Sequence, residues 1–176
     1  TYTDAPAGAA VLVESAPEGW WYSVPRPGGG TIAVYLTDID LVPKQTRRAL
    51  FDAALEKTTH TRARLRNLGR PALHVVAAHT SEHTCFAGEG WLAAGDAAFA
   101  LDPLSGSGIR RALESGIRVA ETISASLHGI QRPELRYNLQ ARQQFAQQLR
   151  VRSYFYGRER RWPHSAFWQR RYRPSA

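Results

Sequence analysis

Gly90-Trp91-Leu92-Ala93-Ala94-Gly95-Asp96-Ala97-Ala98, followed by Asp102-Pro103-Leu104-Ser105-Gly106-Ser107-Gly108-Ile109, is the stretch whose reading decides the fold. The apolar run 91–95 predicts a short strand covered on both faces. Gly95 and Asp96 then predict a corner that sets a carboxylate at the strand's C-terminal end, where α/β folds bind ligands. The Gly/Ser-rich run after Pro103 predicts a turn opening a helix, whose free N–H groups suit an anionic or electron-rich ligand. A plain buried strand, an exposed turn and a helix capped by Ser105 or Ser107 fit the same spacing equally well.

Outward from this stretch, the chain reads as an α/β protein, an α+β mix. Residues 9–16, 19–25 and 31–37 predict three strands of an antiparallel meander. Pro25-Arg26-Pro27-Gly28-Gly29-Gly30 is a turn between the second and third. The 44–67 stretch predicts one helix, stopped by Gly69 and Pro71. Residues 72–79 predict another strand. Ile109, Leu113, Ile117, Ala120, Ile123 and Leu127 recur at spacings of three and four and predict an amphipathic helix over 107–127, with Gly129 just past its end. A further helix is expected from Pro133 to about Gly157, with Leu135, Leu139, Phe145 and Leu149 inward. The Arg- and Trp-rich end is assigned little regular structure. The expected parts are 1–83, a sheet and helix; 84–128, the segment around the Gly-Asp corner; and 129–176, a helix and basic tail.

The net charge of +8 is uneven, since residues 129–176 hold 11 Arg against two Glu. The basic character belongs to that segment and not to the fold as a whole. Hydrophobic residues make up 43% of the 176, which suits a globular chain. No apolar run approaches the roughly 20 residues that span a membrane. The absence of a signal peptide and a single Cys85 suggest a reducing, cytoplasmic setting. His74 and His79 fall on opposite faces of their expected strand, so they predict no metal site with His83. No Gly-x-Ser-x-Gly elbow anchors a hydrolase triad. The tail's arginines, interleaved with Trp162, Phe167 and Trp168, can bind nucleic acid by phosphate contact and stacking. Alternatively, their stems pack over protein while their heads stay solvated, and this second reading is preferred.

Trp91–Gly116 resembles the Gly-Asp-Ala-Ala…Asp-Pro…Gly-x-Gly-Ile…Ala-x-x-Ser-Gly motif of FAD-dependent monooxygenases, in their geranylgeranyl-reductase-like and tryptophan-halogenase-like branches. Glu18–Asp40 resembles the substrate-domain sheet of the same proteins, and Arg160–Arg171 resembles their C-terminal tail. Three matches in order are spread over residues 18–171. The resemblance implies a substrate-domain sheet, then the last strand and helix of an FAD domain, then a C-terminal helix.

The resemblance further implies that Gly95 and Asp96 approach the FAD ribityl-pyrophosphate. Pro103, Leu104, Ser105, Gly106, Ser107, Gly108 and Ile109 would line the pyrimidine side of the flavin ring, and Trp21 and Tyr22 would face a substrate cavity. In this family reduced flavin reacts with oxygen to a C4a-hydroperoxide that hydroxylates an organic substrate, here small or peptide-borne. Electrons would come from NAD(P)H or from a separate flavin reductase. No catalytic residue is assigned.

Two features depart from the family. The Gly-x-Gly-x-x-Gly fingerprint is absent, so the chain is expected to be a C-terminal half. The other half would come in cis or as another chain. Halogenases carry Trp-x-Trp-x-Ile-Pro; here the stretch is Trp20-Trp21-Tyr22-Ser23-Val24-Pro25, which disfavours halogenation. A reductase or halogenase of the same fold, and a non-catalytic module using the basic tail, are the alternatives to a monooxygenase.

Overall fold

The computed structural model describes residues 10–42, 47–66 and 69–172. By their contacts these form two units. One holds the described residues of 10–76 and 156–172, the other Ala77–Phe155.

In the first unit, β1 (Leu12–Ala16), β2 (Gly19–Pro25) and β3 (Thr31–Leu36) form an antiparallel sheet in the order β1-β2-β3. The meander has the three expected strands with shorter ends: Ala10, Val11 and Thr37 fall outside them, and Ala9 lies outside the described residues. Its second turn closes through Arg26 N–H donating to the Gly30 carbonyl at 2.9 Å. Gly28, Gly29 and Gly30 all have positive φ there, which only glycine adopts freely. The glycine cluster is therefore a hairpin turn.

β2 is covered on both faces because adjacent strand residues point oppositely. Trp21 stacks on Tyr35 at 4.8 Å and meets Phe51 edge-on at 4.9 Å, in a core with Ala16 and Ala54. Trp20 is also buried, and its Nε1 donates to the Tyr156 hydroxyl at 2.9 Å.

The single helix expected over 44–67 is two: α1 (Arg47–Glu56) and α2 (His60–Leu65). Residues 43–46 and 67–68, and with them the ends of that expectation, lie outside the described residues. The break has a local cause. The Thr58 hydroxyl donates to the Leu55 carbonyl at 2.7 Å, ending α1, and accepts from Arg62 N–H at 3.1 Å. Glu14 on β1 then accepts the N–H groups of Thr59, His60 and Thr61, satisfying the start of α2.

The end of the chain is more regular than expected, for it forms α5 (Ala166–Tyr172) with Phe167 and Trp168 buried. Its basic residues are paired within the unit. Arg170 bonds Asp38 and Asp40, Arg171 bonds Asp38, and Arg161 bonds Glu159. Trp162 stacks on Trp168 at 5.9 Å. These are the packing contacts of a folded tail.

The second unit holds the two-residue strands β4 (Ser81–Glu82), β5 (Ala87–Gly88), β6 (Trp91–Leu92) and β7 (Phe99–Ala100), paired as β4-β7 and β5-β6. Two long helices follow, α3 (Gly108–Leu127) and α4 (Pro133–Arg158), whose last turn belongs to the first unit. Phe86, Ala98, Phe99, Tyr137 and Ala141 form the core, with Phe145 packed edge-on to Phe99 at 5.2 Å. Asn138 of α4 accepts the N–H groups of Phe86 and Ala87 and donates to the Ala87 carbonyl, so one side chain stands in for a missing strand partner.

Three further expectations are corrected, the first over a run divided between the two units and the others in the second. Residues 72–79 form no strand, and Val75 and Val76 are exposed; no strand among the described residues offers this run a ladder to join. The strand expected over 91–95 shrinks to Trp91–Leu92, and Trp91 is exposed and not covered on both faces. Leu135 and Leu139 of α4 face solvent, because the inward side is built from Tyr137, Asn138 and Ala141.

α3 has the expected length, yet its apolar stripe lies outward. Ile109 and Leu127 are each 81% exposed, and Leu113, Ile117 and Ile123 are exposed with them. The buried residues of this helix are Arg111 and Ser115.

Candidate functional site

The Gly-Asp corner lies in the second unit and is shaped by α3. Ala94 is extended, and Gly95–Ala97 makes a single 3-10 turn. Gly95 has φ +57°, and a Cβ there would sit 3.3 Å from the Ala112 Cβ, so the corner needs glycine for both conformation and room. Gly95 N–H donates to the Ser115 hydroxyl at 2.8 Å, and that hydroxyl donates to the Ala112 carbonyl at 2.9 Å.

Asp96 follows with its side chain 76% exposed. One carboxylate oxygen, Oδ1, accepts from Arg111 Nη2 at 2.6 Å. Arg111 itself is buried, with its guanidinium 4.8 Å from the centre of the Phe99 ring.

The next turn is built by Asp102, which is buried and bonded to Arg152 Nε at 2.8 Å. Its side chain also accepts from Leu104 N–H, Pro103 occupies the first turn position, and Gly106 closes the turn at φ +59°. Ser107 starts α3 but gives it no side-chain cap; its hydroxyl is engaged with that of Ser105 at 2.7 Å. The capping role open to these serines is therefore not taken up. The first N–H groups of a 20-residue helix emerge at an exposed glycine-rich turn beside an exposed carboxylate.

Of the residues read from the sequence, Gly95, Asp96 and the 103–109 turn come together around the start of α3. Trp21 and Tyr22 do not act as a pair, because neighbours on β2 point to opposite faces. Trp21 has no exposed surface and belongs to the core. Tyr22 is half-buried, with its ring 6.0 Å from that of Trp20. Sequence reasoning missed Arg111 and Ser115. Their i, i+4 spacing on a face opposite the apolar stripe was legible, but a polar face ordinarily faces water.

The arrangement can receive a group with hydroxyls at one end and an electron-rich edge at the other. The exposed carboxylate accepts from hydroxyls, and the uncapped helix start stabilises developing negative charge. Those are the needs of the ribityl chain and pyrimidine edge of a flavin, so these residues fit that part of FAD. The sequence has no Gly-x-Gly-x-x-Gly run to cradle the adenine diphosphate end. Among the described residues no three His, Cys, Asp or Glu side chains converge to hold a metal ion. No helix among them is long and apolar enough to cross a membrane.

Comparison with known proteins agrees with this chemistry. The chain is 27% identical over 169 residues to LodB of Marinomonas mediterranea, named an FAD-dependent oxidoreductase. The match covers 93% of this chain and 45% of LodB. Among solved structures it resembles the peptidyl tryptophan dihydroxylase QhpG, with a TM-score of 0.81 and 26% identity over 97% of this chain and 41% of that one. The flavin-dependent halogenase CmlS shares the fold, with a TM-score of 0.85 and 20% identity over 99% of this chain and 34% of that one. No family model matches. The chain is thus related in sequence to an FAD-dependent oxidoreductase, with FAD as the cofactor of that group, and has the fold of part of such flavoenzymes. It spans less than half the length of these relatives.

Proposed function

We propose that this chain is part of an FAD-dependent monooxygenase that hydroxylates an organic substrate, small or peptide-borne, in the cytoplasm. The observation that carries the reading is the exposed Asp96 carboxylate beside the uncapped start of α3, on a glycine corner. Asp96 accepts a ribityl hydroxyl. The N–H groups at the start of α3 would face the pyrimidine edge and stabilise the negative charge that develops there. Pro103 and Gly106 fix the turn that carries them. Bound FAD would supply the electron transfer and oxygen activation that hydroxylation needs.

The partner in this reading is the dinucleotide-binding half of the flavoprotein, joined to this chain or separate from it. It accounts for two surfaces that water does not favour: the outward apolar stripe of α3 and the exposed Val75 and Val76. Relatives more than twice this chain's length support it.

Halogenation is the second reading, favoured by the fold shared with CmlS. Against it stands Tyr22 in the place of the second Trp of the halogenase signature. The test is to assemble the chain with its dinucleotide-binding half, load FAD, supply reductant, oxygen and bromide, and weigh the product of a Trp-containing peptide. A gain of oxygen supports the proposal, and a gain of halogen overturns it for the second reading.

A further inference from the structure

We propose that Arg111 is the positioning residue for Asp96, and that the inward polar face of α3 exists to preset the Gly-Asp corner for FAD. This rests on the reading of Asp96 as a flavin ligand. Two side chains one helical turn apart reach the same corner. Ser115 takes the N–H of Gly95 at 2.8 Å, and Arg111 takes Oδ1 of Asp96 at 2.6 Å. One fixes the backbone and the other fixes the carboxylate.

The burial pattern makes this a directed arrangement and not an incidental ion pair. Arg111 is 4% exposed, while five large aliphatic residues of the same helix face out. A buried guanidinium is costly unless paired. Its Nε is buried without a partner, and its plane lies over Phe99, so the Asp96 carboxylate is the charged group that balances it. A rigid, packed cation therefore holds an otherwise exposed carboxylate by one oxygen. The side chain stays 76% open for a ligand hydroxyl. Holding the carboxylate in one orientation before FAD arrives lowers the ordering cost of binding.

The experiment is a double-mutant cycle on FAD affinity in the assembled flavoprotein, read by flavin fluorescence, with thermal unfolding of the apo-protein measured alongside. Asp96→Ala and Arg111→Leu each weaken FAD by about tenfold or more, as expected for coupled neighbours. The double variant binds no worse than Asp96→Ala alone, and Arg111→Lys, which keeps a cation, recovers part of the loss. If Arg111→Leu weakens FAD by the same factor with Asp96 already removed, the role is merely structural and the proposal falls. If Asp96→Ala weakens FAD while Arg111→Leu and Arg111→Lys do not, positioning is refuted and the flavin-ligand reading survives. If Asp96→Ala leaves FAD affinity unchanged, the flavin-ligand reading fails, and positioning with it.

Discussion

Trp168 Nε1 donates to the carbonyl of Ala16 at 2.9 Å, tying α5 to the end of β1 across 152 residues of chain. The tail is thereby part of the first unit's core. Trp168 is buried against Tyr156, Phe167 and Trp162. Trp168→Ala should cost about 3–5 kcal/mol of stability, the usual loss for a buried aromatic. Urea unfolding followed by tryptophan fluorescence checks this; a loss within error would place the tail outside the core.

The corner itself depends on glycine. Gly95→Ala puts a Cβ at φ +57° and 3.3 Å from the Ala112 Cβ. The expected cost is about 1–2 kcal/mol from conformation alone, with FAD binding weakened as Asp96 is displaced. Thermal unfolding and flavin fluorescence on the same variant check both effects.

The outward face of α3 yields a contrast between two states of the protein. In the isolated chain Leu113→Ala and Ile117→Ala should change stability by less than about 0.5 kcal/mol, since both residues are exposed. Once the dinucleotide-binding half covers them, the same changes should cost about 2–5 kcal/mol. Equal effects in both states would remove the face from the interface.

Without that half the chain should not retain FAD, because its only early glycine cluster is spent on the β2–β3 turn. Flavin absorbance of the purified chain after dialysis against FAD measures this. Stoichiometric yellow protein is the contrary result.

Glu159 gives an acid dependence. Burial opposes its ionisation, but hydrogen bonds from Arg161 and Ser15 outweigh burial and hold its pKa down to about 2, against an ordinary 4.5. A carboxylate depressed in the folded state adds stability above its unfolded pKa. That contribution is lost as pH falls from 4.5 toward 2. Glu159→Gln should flatten stability against pH in that window while lowering it near neutrality. A pH series of urea midpoints shows whether the slope disappears.

The meander was legible because β-branched and aromatic runs between Pro/Gly turns leave few alternatives. α3 and α4 were legible from helical spacing and from Gly129 and Pro133 at their ends. The break between α1 and α2 was not, since the local turn at Thr58 is completed by Glu14, a residue 45 positions earlier than Thr59, which takes up the N–H groups at the start of α2. Nor was α5, whose stability comes from contacts with Ala16, Asp38 and Asp40 far back in the chain.

The sequence by itself determined that Gly95, Asp96 and the glycine-serine turn lie in one turn-rich stretch leading into α3, because local spacing sets local conformation. It also determined that α3 has one apolar and one polar face. Which face turns inward was decided only by the tertiary structure. Periodicity fixes the angle between residues around a helix, but not the side on which protein lies. Here the polar side faces the protein, and it carries the two residues that hold the Gly95–Asp96 corner in place.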